Sequence, residues 1–141
     1  MSIPQIDSYI FFDGNCAEAM RFYEKTIGGR IDMMMKYSDA PEGVCPPGGE
    51  DRIMHTSLNL NGRLLMASDT PKGQYERMQG FAVSLSYAGA EEAKRIFETL
   101  TAGGKTMMPA GPTFFAGYFG AGNDRYGTQW MVMGEPRNPK L

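Results

Sequence analysis

The stretch DGNCAEAMRFYEKTIGG at residues 13–29 predicts a complete helix with a signal at each end. Asn15 is a favourable N-cap, and Glu18, three residues later, can close a capping box with the Asn15 backbone N–H. Gly28 can adopt the positive φ that ends a helix. The apolar residues recur at helical spacing, so one side of the helix is predicted to be buried. They are Cys16, Ala19, Met20, Tyr23 and Ile27.

A second stretch, GAEEAKRIFETLTAGG at residues 89–104, repeats the Glu-Ala start, an Arg before an apolar or aromatic pair, and the Gly-Gly end. Its apolar stripe is Ala93, Ile96 or Phe97, and Leu100. An apolar, β-rich run precedes each helix, at residues 6–12 and 81–87. An internal repeat of this size favours a duplicated supersecondary unit. The alternative is chance similarity between two amphipathic helices of one α+β domain.

Composition limits the class of protein. A chain of 141 residues suits one domain with a sizeable core, and a net charge of −2 offers no basic surface for nucleic acid or an anionic membrane. No apolar run approaches membrane-spanning length, and the N-terminus lacks the pattern of a secretion signal. The two cysteines have no metal or redox spacing. These features predict a cytoplasmic protein with no nucleic-acid or membrane partner.

The remaining elements are predicted as strands and loops. A strand at 30–37 leads to a long loop at 38–51, which contains three prolines and three glycines and is expected to be mobile. The strands at 53–61 and 63–69 form a hairpin through the tight-turn pair Asn61-Gly62. Further strands are predicted near 105–109, 114–122 and 129–133, and a polar tail follows at 136–141.

Three segments together resemble one known family. They are FDGNCAEA at residues 12–19 with the following Phe22-Tyr23, LMASD at 65–69, and DRYGTQWMV at 124–132. In this order they resemble the PhnB-like branch of the glyoxalase/bleomycin-resistance, or vicinal oxygen chelate, superfamily. The resemblance implies an α+β fold in which two βαβββ modules, at about 1–70 and 79–135 of a single domain at 1–135, form a curved mixed sheet around a cleft. It also implies a homodimer.

Metal-dependent enzymes of that superfamily hold a divalent ion with four His, Gln or Glu side chains, one from the first and one from the last strand of each module. The equivalent positions here are Ser8 with Asp7 beside it, Met66 or Ser68, Phe81 or Val83, and Met131. Because none of these is His, Gln or Glu, we predict neither a metal nor another cofactor. The alternative is an irregular site that uses Asp7, Gln129 and His55.

His55 is the only histidine, and it is the one candidate for catalysis. The alternative is a structural, hydrogen-bonded histidine. Alternation along the strand at 53–61 places His55, Ser57 and Asn59 on its polar face. The residues predicted to line the ligand-binding cleft are Ser8, His55, Ser57, Asn59, Met66, Gln129 and Met131.

Two other features are interpreted without a catalytic role. Asp69 and Asp124 are interpreted as capping or solvated carboxylates at turns and strand ends. The glycine-rich run at 117–122 resembles a nucleotide-binding loop only superficially, because a strand and not a helix is predicted after it. The sequence therefore does not support the methyltransferase label that relatives of this branch have carried.

The predicted function is the binding of a small molecule in an apolar cleft from which the usual metal ligands have been lost. Two alternatives stay open from the sequence. The first is an enzyme of the same superfamily, metal-independent or with an atypical metal, acting on an unknown small substrate. The second is a non-catalytic structural dimer.

Overall fold

The computed structural model describes residues 1–137 and divides into two compact units, Met1–Glu76 and a second that begins at Arg77. The boundary falls in the segment between the two predicted modules. Each unit is built from one helix and one four-stranded sheet. Neither helix in the described residues is long and apolar enough to cross a membrane.

The first unit contains β1 (Ser8–Phe12), α1 (Cys16–Ile27), β2 (Arg30–Lys36), β3 (Ile53–Leu60) and β4 (Arg63–Asp69). The strand order in its sheet is β1-β4-β3-β2. The first strand pairs in parallel with the last, with Tyr9 opposite Met66, while the β2–β3 and β3–β4 pairs are antiparallel. The β3–β4 turn is the predicted tight turn, since Asn61 and Gly62 both have positive φ.

The second unit contains β5 (Val83–Tyr87), α2 (Ala90–Thr101), β6 (Lys105–Thr106), β7 (Ala116–Asn123) and β8 (Gln129–Pro136). Its strand order, β5-β8-β7-β6, is the order of the first unit, and β5 is again parallel to β8. The α+β fold with two βαβββ modules is therefore confirmed.

Both helices bury most of the stripe that the sequence predicted, although Ile27 at the end of α1 is only half-buried. In α1 the buried residues are Cys16, Ala19, Met20 and Tyr23; in α2 they are Ala93, Ile96, Phe97 and Leu100. Helix α2 packs very close to the second sheet because the strands beneath the helix carry glycine at the points of contact. A Cβ atom at Gly120 would lie 2.8 Å from the Phe97 ring, and one at Gly134 would lie 2.6 Å from the Ala93 Cβ. These glycines serve the packing of a helix on a sheet.

The predicted capping box of α1 is wrong. Asn15 makes no side-chain capping bond. Instead Asp69, at the end of β4, accepts hydrogen bonds through Oδ1 from the backbone N–H groups of Gly14 and Cys16, at 2.8 and 3.0 Å. Its Oδ2 accepts one from the Ile53 N–H at 2.9 Å. A buried carboxylate 53 residues away along the chain therefore satisfies the N-terminus of the helix and ties it to β3 and β4.

Several predicted boundaries also move. β1 begins at Ser8 and not at residue 6, β5 begins at Val83, and β6 has only two residues. β8 continues to Pro136, which pairs with Ala116, because the pairing between the β7 and β8 backbones extends beyond the last apolar residues of the strand. The rest of the predicted tail, residues 138–141, lies outside the described residues. The loop at 38–51 contains the end of a short 3-10 turn, Tyr37–Asp39, and the backbone N–H of Ser38 bonds to the Glu50 carbonyl at 3.2 Å.

Candidate functional site

Each sheet has one face packed on its helix and an opposite face, which we call the open face. In the first unit, the buried residues Ile10 and Phe12 of β1 lie on the helix side, so the alternate residues Tyr9 and Phe11 lie on the open face. The register of the other strands adds further residues to this face. They are Met33, Met35, His55, Ser57, Asn59, Leu64, Met66 and Ser68.

A tyrosine–histidine pair lies on this open face. The Tyr9 hydroxyl is 3.2 Å from His55 Nδ1, within hydrogen-bonding distance, and the two ring centroids are 5.6 Å apart. Tyr9 is on β1 and His55 on β3, with β4 between them, so the contact crosses one strand of the sheet. The pair joins an imidazole, which can act as a proton donor or acceptor, to a phenol on one surface.

The structure brings four of the predicted cleft residues together on this face: His55, Ser57, Asn59 and Met66. The Asn59 amide is already engaged, since it donates to Asp32 at 3.0 Å and accepts from the Gly62 N–H at 2.7 Å. The hydrogen bond from Asn59, together with that from Arg30, holds the pKa of the Asp32 carboxyl below its usual value. Asn59 therefore stabilises the end of the hairpin.

Ser8 is placed on the other side of the sheet, because it shares the alternation of Ile10 and Phe12. The open-face residue of β1 opposite Met66 is Tyr9, which the sequence analysis did not select. The predicted residue, Ser8, precedes the observed one, Tyr9, by one position. A shift of one residue along a strand moves a side chain to the opposite face of the sheet. The run SYIFF of β1 has no clear polar–apolar alternation, so the sequence carried no signal for the face.

The open face of the second unit holds an apolar depression of about 410 Å³. Residues from β7, β8 and the segments next to β5 and β6 line it: Phe81, Ala82, Met107, Met108, Phe119, Ala121, Gln129, Trp130 and Met131. The predicted cleft residues Gln129 and Met131 are both among them. Met107 and Met108, which the sequence analysis missed, follow the two-residue strand β6 and are exposed.

Val83 does not lie on this open face. It is paired with the buried Trp130, whereas Ser84 is paired with Met131 and takes the open-face position of β5. The turn before β8 is fixed by Asp124, which accepts bonds from the backbone N–H groups of Tyr126 and Thr128 and from the Trp130 indole N–H at 2.9 Å. This carboxylate, like Asp69, has the structural role predicted for it.

The glycines at 117, 120 and 122 lie in β7, and β8 follows the turn after them. A phosphate-binding glycine loop requires a helix N-terminus at that point. The turn and strand predicted after this run are therefore confirmed, and the run lacks the geometry of a phosphate-binding loop.

Comparison with known proteins identifies the family. A family model described as 3-demethylubiquinone-9 3-methyltransferase matches residues 4–133. Protein YjdN of Escherichia coli K12 is 30% identical over 136 residues, which cover 90% of this chain and 92% of YjdN. The PhnB protein of Bacillus cereus, described as a putative 3-demethylubiquinone-9 3-methyltransferase, has a solved structure with a TM-score of 0.77 and 26% identity, covering 93% of this chain and 99% of that one. This chain belongs to the PhnB-like family.

Other solved structures have the same fold. Protein PA1353 of Pseudomonas aeruginosa is 41% identical, with a TM-score of 0.87 over 94% of this chain and 98% of its own. The fosfomycin resistance protein FosX of Listeria monocytogenes, solved with Mn(II), shares the fold with a TM-score of 0.63 but only 11% identity, over 94% of this chain and 93% of FosX. The PhnB-like chain therefore has the fold of the glyoxalase/bleomycin-resistance superfamily.

The side chains present do not fit the divalent metal of that superfamily. The open-face residues at the four positions, corrected for the observed register, are Tyr9, Met66, Ser84 and Met131. They offer a phenol, a hydroxyl and two thioethers, none of which is a good ligand for a hard or borderline divalent ion. Among the described residues, no three His, Cys, Asp or Glu side chains lie close enough to share a metal ion.

Proposed function

We propose that this PhnB-like protein binds an apolar small molecule in the depression on the open face of its second unit, and that it does so without a metal ion. The observation that supports the proposal is the set of large apolar side chains left exposed around this depression. Phe81, Met107, Met108 and Met131 are each between 39% and 63% exposed. Exposed apolar groups that surround a concavity are typical of a ligand-binding surface.

The chemistry of the lining defines the ligand class. Apart from Gln129, every lining side chain is apolar or aromatic, and the Trp130 indole N–H is already bonded to Asp124. Methionine side chains are flexible and polarisable, so they adapt to ligands of different outline. The lining favours a molecule that is mostly hydrocarbon, with one polar group for the Gln129 amide.

The exposed methionines provide a direct test, because the side chains of Met107, Met108 and Met131 line the depression at its surface. In NMR spectra of the methionine methyl groups, we expect 1-octanol to shift the signals of these three residues saturably and to leave that of the buried Met20 unchanged. Phe81→Ser should weaken binding about fivefold or more, because it removes an apolar wall.

Phe114→Ser is the matched control. Phe114 is also an exposed phenylalanine of the second unit, but it does not line the depression. Methyl shifts that do not saturate, or an equal loss of affinity in the two variants, would refute the proposal. A thermal-shift screen with metabolite pools would then identify natural ligands, because a ligand that binds the folded state raises its apparent stability.

The proposal also implies that purified protein contains no stoichiometric divalent metal and has no glyoxalase activity. Such activity in metal-bearing relatives depends on a Lewis-acidic ion. Elemental analysis after exhaustive dialysis measures the metal content. About one equivalent of zinc, nickel, iron or manganese per chain, lost together with activity in His55→Ala, would instead support an atypical metalloenzyme.

A further inference from the structure

The Tyr9–His55 pair on the open face of the first unit is not used by the function proposed above. The phenol approaches His55 Nδ1, and no described residue occupies His55 Nε2. Beside the pair lie Ser57, which is opposite Met66, and Ser68, which is opposite Phe11. Neither serine side chain makes a hydrogen bond to another described residue. Because Ser57 and Ser68 are only 8% and 7% exposed, the half-buried His55 imidazole is the polar group with unused hydrogen-bonding capacity that this apolar part of the face presents to a ligand.

Aromatic rings and a methionine side chain surround these polar atoms. The ring of Phe11 is 50% exposed and lies 5.2 Å from that of Tyr9, measured between centroids. Met33, from the opposite edge of the sheet, is also exposed. Aromatic rings and thioethers favour contact with another aromatic ring, through offset or edge-on arrangements.

The chemistry of the pair indicates which polar group such a ring should carry. If the Tyr9 hydroxyl donates to Nδ1, then Nε2 carries the proton and can donate; if Nδ1 donates to Tyr9, then Nε2 is an acceptor. A ligand hydroxyl both donates and accepts, so it can satisfy either tautomer. A purely apolar ring would cover the imidazole and leave Nε2 without a partner, which is unfavourable.

From these observations we propose that Tyr9 and His55 form a binding site on this open face, specific for a planar aromatic molecule that carries a hydroxyl group. Tyr9 and Phe11 contact the ring of the ligand, and His55 Nε2 hydrogen-bonds its hydroxyl. The probe, the readout and the variants that test this site differ from those that test the apolar depression, so each proposal can fail separately.

His55 gives a specific readout, because it is the only histidine and its imidazole proton signals can be followed by NMR without ambiguity. The probe is 2-naphthol, and naphthalene is the probe that lacks the hydroxyl. We expect 2-naphthol to shift the His55 signals saturably and to bind at least about tenfold more tightly than naphthalene, as one well-placed hydrogen bond allows.

Two variants test the pair. Tyr9→Phe keeps the ring and removes the hydroxyl that orients the imidazole, so it should weaken 2-naphthol binding about tenfold and leave naphthalene binding unchanged. Tyr37→Phe removes a hydroxyl elsewhere in the same unit and should change neither affinity. Circular dichroism and thermal unfolding establish that both variants are folded.

The outcomes separate the two proposals. Failure of 2-naphthol to shift the His55 signals saturably, or equal affinities for 2-naphthol and naphthalene, overturns this inference. Binding of 2-naphthol that is weakened by Phe81→Ser and not by Tyr9→Phe also overturns it, because the probe then occupies the depression of the second unit. In each of these cases the 1-octanol titration of the methionine methyl groups decides the first proposal separately.

Discussion

Single carboxylates hold together segments that are far apart in the sequence. Asp69 accepts three backbone hydrogen bonds, from the start of α1 and from β3, and it is 1% exposed. A cap of this kind cannot be found by inspecting the residues next to a helix. It appears only when β4 has brought the carboxylate to the helix N-terminus.

The contrast between Asp69 and Asn15 gives the first prediction. Asp69→Asn keeps the size but removes the charge and one acceptor, so it should lower the free energy of unfolding by about 2–4 kcal/mol. Asn15→Ala should lower it by less than about 0.5 kcal/mol, because the Asn15 side chain makes no capping bond. Urea unfolding of both variants measures the difference. A larger effect at Asn15 would restore the capping box predicted from the sequence.

The second prediction concerns Cys16. Burial, with a smaller effect of the nearby Asp69 carboxylate, raises the pKa of the Cys16 thiol well above its ordinary value. Above about pH 8.5 the thiol ionises in the unfolded chain but stays protonated in the folded one, so the unfolded state is favoured as the pH rises. The free energy of unfolding should therefore fall between about pH 8.5 and 10, by up to about 1.4 kcal/mol per pH unit.

Urea unfolding under reducing conditions at several pH values measures this slope. Cys16→Ala should flatten it relative to the parent protein. Cys45→Ala, which changes the half-buried second cysteine, should leave it unchanged. Equal slopes in the parent and in Cys16→Ala would contradict the assignment.

Among the elements, the packing of α2 on its sheet depends on glycine in the strands. Gly134 of β8 faces the start of α2, where an added methyl group would meet the Gly89 carbonyl oxygen and the Ala93 Cβ. The Gly89 oxygen belongs to the backbone of the helix N-cap, and the Ala93 Cβ is fixed to the helix backbone. Because neither atom is the flexible end of a long side chain, the helix would have to move. The apolar stripe of α2 can be buried only if β8 has no side chain at this point.

Gly134→Ala should therefore lower the free energy of unfolding by about 1–3 kcal/mol through overpacking. Gly89→Ala is the matched control, because a Cβ there meets nothing within 4 Å. It should change stability by less than about 1 kcal/mol, as expected for a helix N-cap position. Thermal unfolding of the two variants gives the comparison. Equal stabilities would mean that α2 does not lie as close to β8 as the structure has it.

The assembly of the protein is the subject of the last prediction. In each sheet of the described residues the outer strands have one free edge: β1 and β2 in the first unit, β5 and β6 in the second. Free edges and exposed apolar side chains favour association, and the family resemblance implies a symmetric homodimer. We therefore expect light scattering at micromolar concentration to give twice the chain mass of 15.6 kDa. A mass of one chain throughout a dilution series would contradict the dimer.

The elements of the fold could be predicted from the sequence because their signals are local. The apolar stripes of α1 and α2, the Asn61-Gly62 turn and the alternation along β3 each involve residues within a few positions of one another. The repeat of two such helices, each after an apolar strand, was enough to indicate a duplicated unit. Local spacing determines periodicity, and periodicity determines whether a segment is a helix or a strand.

The candidate sites depend on contacts that only the tertiary structure decided. His55, Gln129 and Met131 could be selected from the sequence, but Tyr9 could not, because β1 is apolar on both faces and its register against β4 decides which side chain meets His55. The depression likewise needs Phe81 and Met107, which lie far apart in the sequence. Side chains alternate along a strand with a period of two, so an error of one residue changes the face, and only the pairing between distant strands removes that ambiguity.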